Sequence, residues 1–104
     1  MMNLSQSIEF QWDKGNIDKN LVKHDVRNEE IEEAFSDSEN KLYKDELHSN
    51  SEGRFILLGK TISRRLLFIA FTLRGNKVRV ISARDLCRKD RIFYYEKTTK
   101  ATKI

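Results

Sequence analysis

The stretch LLFIAFTL, residues 66–73, is almost wholly apolar and decides the predicted fold. It is far shorter than the roughly 20 residues that a membrane-spanning helix needs, but it has the length of a β-strand. A strand that is apolar on both sides of its pleat is typical of the centre of a sheet, with cover on both faces. The stretch therefore predicts a central strand in the core of the domain.

Further strands are predicted on either side of this central strand. Arg74-Gly75-Asn76-Lys77 predicts a tight turn, because Gly-Asn is a hairpin signal, and the last strand then runs from Val78 to Ile81. Upstream, residues 55–58 predict a short buried strand that is closed by Gly59. Successive hairpins of this kind indicate an antiparallel sheet.

The rest of the chain alternates between strand and helix patterns. Residues 8–12 predict an N-terminal strand, and residues 42–47 predict an edge strand. Between them Asp13 is expected to cap a helix that ends near His24, and Asn28 a second helix with Ile31, Ala34 and Phe35 buried. A last helix is predicted from Arg84 to about Lys97. The order is β-α-α-β-β-β-β-α, which is an α+β fold: a small antiparallel sheet packed on one face by two N-terminal helices and one C-terminal helix.

The composition indicates one globular domain over residues 1–104. The chain is 38% apolar and 35% charged, which is too apolar for a disordered protein. We expect an ordered core over residues 8–97, with flexible tails at 1–7 and 98–104. MMNLSQS has neither the basic flank nor the apolar core of a signal peptide. A single cysteine, Cys87, makes no intramolecular disulfide and fits a reducing cytoplasm.

Charge is distributed unevenly along the chain. Residues 1–59 contain 7 basic and 13 acidic side chains, whereas residues 60–104 contain 13 basic and 3 acidic side chains. The first part therefore has a net charge of −6 and the second a net charge of +10. This asymmetry indicates a basic surface for a polyanion such as nucleic acid, although a dipolar domain that is simply well solvated gives the same pattern.

The basic residues near the C-terminus suggest a phosphate-binding surface. Arg84, Arg88 and Arg91 have the spacing of one helical stripe, with Lys89 at its edge. Lys77 and Arg79 approach from the preceding strand. Arginine suits phosphate because its planar guanidinium group binds two oxygens at once. The alternative is an ordinary solvated face of a helix.

Two other groups of residues are candidates for proton transfer. Glu52 and Arg54 share one side of an extended chain, where they form either a structural ion pair or a phosphate-binding pair with a base. Lys23 and His24 lie at a predicted helix end, where cations also simply complement the helix dipole. Histidine titrates near neutral pH and suits the cleavage of an RNA phosphodiester. His24 and His48 do not have the spacing of a metal site.

Several ordered motifs resemble those of the BrnT toxins. Phe10-Gln11-Trp12-Asp13 followed by Asn20, Lys23-His24 and Val26 is similar to the family's FxWDxxK…NxxKHGV opening. The segment Glu52–Gly59 resembles its ExRF…G strand, and Arg79–Arg84 its RxISAR segment. Arg91 and Tyr95-Glu96 resemble its closing R…YE helix. The resemblance covers about residues 8–97.

The resemblance implies a function as well as a fold. It implies a RelE-like fold and a ribonuclease toxin of a type II toxin–antitoxin system that cleaves RNA without a metal or other cofactor and stops translation. The expected partner is a BrnA-like antitoxin, which neutralises the toxin and through which the pair binds operator DNA and represses its own operon. No membrane association is implied. The alternatives are a non-catalytic RNA-binding module and a decayed toxin that only binds the antitoxin.

The resemblance also implies which residues form the site. The expected catalytic residues are His24, Glu52, Arg54, Arg79 and Arg84, with His24 or Glu52 as the proton carrier. RNA binding is assigned to Lys23, Lys77, Arg88, Lys89 and Arg91. Two departures from the family pattern bear on activity: Asp25 stands where the family has a glycine with positive φ, and Gly53 stands where an acidic residue is commoner.

Overall fold

The computed structural model describes residues 8–47 and 53–96, so His48, Glu52 and both predicted tails lie outside the described residues. The chain is α+β, and its elements follow the predicted order. They are β1 (Glu9–Phe10), α1 (Lys19–His24), α2 (Asn28–Phe35), β2 (Lys41–Lys44), β3 (Phe55–Lys60), β4 (Leu66–Arg74), β5 (Lys77–Asp85) and α3 (Arg88–Tyr95). None of these helices is long and apolar enough to cross a membrane.

The five strands form a mixed sheet with the order β1-β5-β4-β3-β2. Strands β2 to β5 pair antiparallel with their neighbours, as the hairpin signals predicted, but β1 pairs parallel to β5. The prediction of a wholly antiparallel sheet is therefore wrong at this edge. Hairpin signals report only strands that follow each other in the chain, whereas β1 reaches β5 from far away in the sequence.

Apolar side chains cover both faces of the sheet, because successive residues of β3 and β4 point to opposite sides. Leu57 and Phe71 pack with α2, on the side that we call the α2 face. Ile56 and Ala70 point the other way and pack with Tyr94 of α3, on the side that we call the α3 face. The prediction that all helices lie on one face is therefore wrong. The central strand is apolar on both sides, so a single layer of helices would leave half of it uncovered.

Helix α2 packs closely against the sheet. Its predicted apolar residues, Ile31, Ala34 and Phe35, are all buried. The closest approach is at Gly59 of β3, where an added Cβ would lie 2.4 Å from the carbonyl oxygen of Ala34. A glycine at this position therefore allows the helix to lie directly on the strand.

The last strand is longer than predicted, and the last helix is shorter. β5 continues to Asp85 because it stays paired with β4 as far as Leu67, with a register shift that leaves Ile81 without a partner in β4. Arg84 consequently lies on a strand. The predicted helical stripe is wrong in this respect, since of its three arginines only Arg88 and Arg91 are on α3.

The two N-terminal helices begin at different residues from those predicted. Asp13 does not cap α1, because its side chain accepts hydrogen bonds from the Gly15 backbone and from Arg79. The residue before α1 is Asp18, which has a positive φ of 58°. Helix α2 is capped by Arg27 rather than Asn28, and the carboxylate of Glu30 accepts a hydrogen bond from the Arg27 backbone N–H.

The outer edge of β5 is covered by side chains beyond the short β1 pairing. Asn16 donates from Nδ2 to the Val80 carbonyl oxygen at 3.2 Å, and Asn20 accepts from the Ala83 N–H at 2.9 Å. Both asparagines are buried. They therefore satisfy backbone groups that a neighbouring strand would otherwise bind.

Candidate functional site

Three polar residues lie side by side on the α3 face, one immediately before β3 and one on each of β4 and β5. Phe55, Phe71 and Val80 are cross-strand partners, and their side chains form a row on the α2 face. The next row therefore faces α3, and it contains Arg54, Thr72 and Arg79, of which the last two are direct partners. We call these three residues the arginine row.

Arg79 is held by a single carboxylate. Its Nη1 donates a hydrogen bond to Asp13 Oδ2 at 2.6 Å, and this bond lowers the pKa of Asp13 below its usual range. Gly15 makes room for the pair, since a Cβ there would lie 2.8 Å from Arg79 Nη2. Within the described residues this is the one hydrogen bond of the Arg79 side chain. A guanidinium group has five N–H donors, so most of those of Arg79 are available to a ligand.

Arg54 occupies the opposite end of the arginine row. Its Nε lies 3.6 Å from Asp45 Oδ2, and its carbonyl oxygen accepts a hydrogen bond from the Asp45 N–H at 2.7 Å. The second contact extends the pairing of β2 with β3 by one residue, which fixes the backbone of Arg54. Glu52, which the sequence pairs with Arg54, lies outside the described residues.

Arg84 lies farther along β5 on the same face. Its guanidinium carbon is 4.0 Å from the centre of the Phe68 ring, and its Nη2 is 3.8 Å from Asp90 Oδ2 at the start of α3. Stacking on an aromatic ring holds a guanidinium group flat and leaves its edges free for hydrogen bonds. Arg54, Arg79 and Arg84 thus lie on the α3 face, and each lies beside an aspartate: Asp45, Asp13 and Asp90 respectively.

Lys23 and His24 occupy a different part of the molecule, which we call the Arg65 junction. Arg65 precedes β4, and its guanidinium donates to the carbonyl oxygens of His24 at 3.2 Å and Asp25 at 2.7 Å. The same group binds the carboxylates of Glu30 at 3.2 Å and Asp85 at 2.7 Å. One arginine therefore joins the ends of α1 and β5 to α2.

The junction uses all of the hydrogen-bonding capacity of Arg65. Its Nε binds Asp85, its Nη1 binds Asp25 and Glu30, and its Nη2 binds His24 and Asp85. The Asp85 bond raises the pKa of Arg65, and Arg65 in turn lowers the pKa of Asp85. The arrangement leaves no donor of Arg65 for a ligand.

The structure separates His24 from the arginine row. Leu67, two residues beyond Arg65, belongs to the α2 face, so the Arg65 junction lies on that side of the sheet. Asp85 and Arg79 are also six residues apart on β5, a distance of roughly 20 Å at the rise of a strand. The predicted residues therefore form two groups: one contains Arg54, Arg79 and Arg84, and the other contains Lys23 and His24.

Comparison with protein families identifies the class to which the chain belongs. A family model described as a ribonuclease toxin, BrnT, of a type II toxin–antitoxin system matches residues 12–90. The chain belongs to the BrnT toxin family. The BrnT match includes both groups of predicted catalytic residues and ends at Asp90, before Arg91 and the closing tyrosine and glutamate. No curated protein matches the chain.

The two departures from the BrnT pattern have different structural settings. Asp25 adopts φ 57° and ψ 39°, so the prediction of a positive φ after His24 is confirmed even though the residue is not glycine. The Arg65 bond to its carbonyl oxygen helps to hold this conformation. Gly53 has φ 72°, a value that favours glycine over an acidic side chain.

The cations that the BrnT resemblance assigns to RNA binding are distributed over three elements. All are exposed: Lys23 on α1, Lys77 on β5, and Arg88, Lys89 and Arg91 on α3. Lys77 begins β5 on the same face as Arg79, opposite Arg74. Arg91 lies near enough to Asp85 to lower the pKa of that carboxyl group. Four of these cations thus extend from the arginine row to α3, whereas Lys23 lies at the Arg65 junction.

Tyr43 is a titratable residue on the α3 face that the sequence analysis missed. It belongs to β2, is half-buried, and packs edge-on against Phe93 of α3 with ring centres 5.7 Å apart. Burial is the main cause that raises its pKa to about 12, and the nearby charges of Asp90 and Asp45 raise it further. Side chains alternate along a strand, so the correct register between β2 and β3 would have predicted Tyr43 on this face.

Residues 8–47 and 53–96 contain no group of three or more histidines, cysteines and carboxylates that are arranged to hold a metal ion. The free Cys87 is exposed and donates a hydrogen bond to Asp90 at 3.2 Å. Cys87 is the residue immediately before the first turn of α3.

Proposed function

We propose that this BrnT protein is a metal-independent endoribonuclease that cleaves RNA in the cytoplasm, inhibits translation and arrests growth. We also propose that its sheet and helices form a RelE-like fold. The proposal builds on the family match, which supplies the class of ribonuclease toxin. The observation that carries it further is the arginine row, where two guanidinium groups share one face and Arg79 keeps unused donors.

The geometry supports a division of roles among the predicted residues. Arg54, Arg79 and Arg84 lie on one face and bind the scissile phosphate, whose negative charge increases during cleavage. Of the two predicted proton carriers, Glu52 takes the proton from the attacking 2′-hydroxyl, because His24 lies at the Arg65 junction on the α2 face. RNA on either side of the cleaved bond lies along Lys23, Lys77, Arg88, Lys89 and Arg91. Because these contacts are electrostatic, binding weakens as salt is added.

The proposed partner is a BrnA-like antitoxin that blocks the toxin. In this proposal the antitoxin supplies the DNA-binding part, and the pair represses its own operon. Expression of the toxin alone is expected to arrest growth, and co-expression of the antitoxin is expected to restore it. A toxin that arrests growth equally in the presence of the antitoxin would contradict neutralisation.

The ribonuclease proposal is tested by cleavage of a defined RNA with the purified chain in excess chelator. The wild type is expected to cleave, and Arg79→Ala and Arg54→Ala are each expected to lose about 100-fold or more in rate, because each removes a positive charge from the transition state. Lys44→Ala is the matched control, since it removes an exposed cation from β2. Equal cleavage by all variants would indicate a contaminating nuclease. Activity that disappears in chelator would contradict metal independence.

The second candidate is a non-catalytic module that binds RNA or only the antitoxin. The presence of Asp25 and Gly53 at two positions of the BrnT pattern favours it. It predicts that the chain binds single-stranded RNA and does not cleave it. In a plot of log affinity against log salt concentration, each neutralised phosphate is expected to contribute about −0.7 to the slope. A decayed toxin would form a complex with the antitoxin but would not arrest growth.

A further inference from the structure

We propose that Tyr43 is a further catalytic residue, which donates its hydroxyl proton to the leaving 5′-oxygen of the cleaved RNA. The inference rests on the proposed ribonuclease function, and it adds an acid to the arginines and the base already assigned. It comes from the position of Tyr43 on the α3 face.

The register of the sheet places Tyr43 beside the arginine row. Tyr43 pairs with Ile56, and Ile56 pairs with Ala70, so these residues form the row next to Arg54 and Thr72. Consecutive rows on one face of a sheet are about 7 Å apart, which is within the reach of a tyrosine side chain.

Polar groups from three parts of the chain lie near the Tyr43 hydroxyl. Asp45 just after β2, Arg84 on β5, and Asp90 on α3 are all close enough to act on its pKa. Arg54 is paired with Asp45, and Arg84 with Asp90. The hydroxyl therefore lies near the aspartates of two of the ion pairs formed by the arginines that are expected to bind phosphate.

Tyr43 fits the role of the acid better than His24 does. His24 lies at the Arg65 junction on the α2 face, whereas Tyr43 lies on the face of the three arginines. Burial and neighbouring carboxylates raise the pKa of Tyr43 to about 12, so the hydroxyl keeps its proton at neutral pH. A phenol of this kind is still a stronger acid than the alcohol that leaves, for which water is a guide, so it can protonate the leaving oxygen.

The step balances with groups already named. The 2′-oxygen attacks phosphorus and loses its proton to a carboxylate base, for which Glu52 is the candidate. The bond from phosphorus to the 5′-oxygen breaks, and that oxygen takes the proton of Tyr43. The products are a 2′,3′-cyclic phosphate and a 5′-hydroxyl end. The phenolate then regains a proton from water, and the base returns its proton to water.

The test compares Tyr43→Phe with the wild type and with Tyr95→Phe. Phenylalanine keeps the ring that packs on Phe93 and removes only the hydroxyl group. Tyr95 is 57% exposed at the far end of α3, so Tyr95→Phe removes a hydroxyl elsewhere. We expect Tyr43→Phe to lower kcat about 100-fold, as the loss of a general acid does, with KM and the urea unfolding midpoint unchanged. Tyr95→Phe is expected to match the wild type.

A second substrate separates proton donation from structural support. RNA with sulfur in place of the 5′-oxygen releases a thiol with a pKa of about 8.5, which leaves without protonation. Tyr43→Phe is expected to cleave this substrate as fast as the wild type does. An equal deficit on both substrates, or no deficit on ordinary RNA, would overturn the role of Tyr43 while the wild type still cleaves. Absence of cleavage by the wild type itself would overturn the proposed function, and this inference with it.

Discussion

Arg79 and Arg65 both contact aspartates, but they differ in how many of their donors are occupied. Arg65 binds two carbonyl oxygens and two carboxylates, and all five of its N–H groups are used. Arg79 makes one side-chain bond within the described residues, to the exposed Asp13. An arginine with every donor occupied joins elements of the fold, whereas one with spare donors can bind a phosphate.

The comparison of Arg65 with Arg79 predicts that loss of Arg65 lowers stability, whereas loss of Arg79 lowers activity. Arg65→Ala would remove the nearer of the two cations of Glu30, whose side chain is 8% exposed, and would release the end of α1. We expect a loss of about 2–3 kcal/mol in the free energy of unfolding, measured with urea. Arg64→Gly is the control, because it removes the adjacent exposed arginine at a positive φ of 75°. Equal losses in both variants would contradict the structural role of Arg65.

The aspartates that face the two arginines sharpen the same contrast. Asp13→Asn removes the charge that competes with phosphate for Arg79, so we expect tighter RNA binding at low salt with little change in stability. Asp85→Asn weakens the Arg65 junction, so we expect lower stability without tighter RNA binding. RNA titrations and urea unfolding of both variants measure this difference. Tighter binding by both variants to the same extent would remove the distinction.

Asp25 offers a smaller test at the junction. Its φ of 57° is costly for aspartate and easy for glycine, so Asp25→Gly is expected to raise the free energy of unfolding by about 0.5–1 kcal/mol. The Arg65 bond to the carbonyl oxygen is retained, because it involves only the backbone. An activity change in the same variant would show whether the carboxylate acts on His24. A loss of stability would mean that the Asp25 side chain itself stabilises the turn.

The smallest expected effect is that of pH on the junction. The Arg65 hydrogen bond lowers the pKa of Asp85 in the folded protein below its ordinary value of about 3.9. The Asp85–Arg65 pair therefore stabilises the folded protein above that value. This stabilisation is lost as pH falls through the lower pKa that Asp85 has in the folded protein. Between pH 5 and pH 2 the wild type should lose more stability than Arg65→Ala does. Equal losses would indicate that the pair contributes nothing in solution, as exposed ion pairs often do.

Much of the fold could be predicted from the sequence, because it depends on local patterns. The apolar residues 66–73 and the Gly75-Asn76 turn indicated the central hairpin, and the structure confirms it. The face covered by α3 and the parallel edge strand could not be predicted in this way, since both depend on contacts between distant segments. Arg84 was assigned to a helix because the following residues are helical, whereas pairing with Phe68 keeps it in β5.

The site was only partly accessible from the sequence for a related reason. Arg79 belongs to β5 and Arg54 immediately precedes β3, so the alternation of side chains can be followed in both strands, and their common face follows from the register. Arg65 and Arg64 are adjacent and identical in type, so nothing in the sequence shows that one joins three elements and the other is exposed. The position of Tyr43 beside the arginine row depends on how β2 aligns with β3, which no local pattern specifies.

The asparagines that cover the edge of β5 also bear on how copies of this protein can associate. A sheet with two open edges can add molecules at both ends and grow into a filament. Here Asn16 and Asn20 bind part of the edge of β5, and the two-residue β1 pairs with another part. Pairing through β2 would join two molecules about a twofold axis, and each end of that dimer would then present this covered edge. The side chains that hold the α1 segment against β5 therefore disfavour further growth by edge-to-edge pairing.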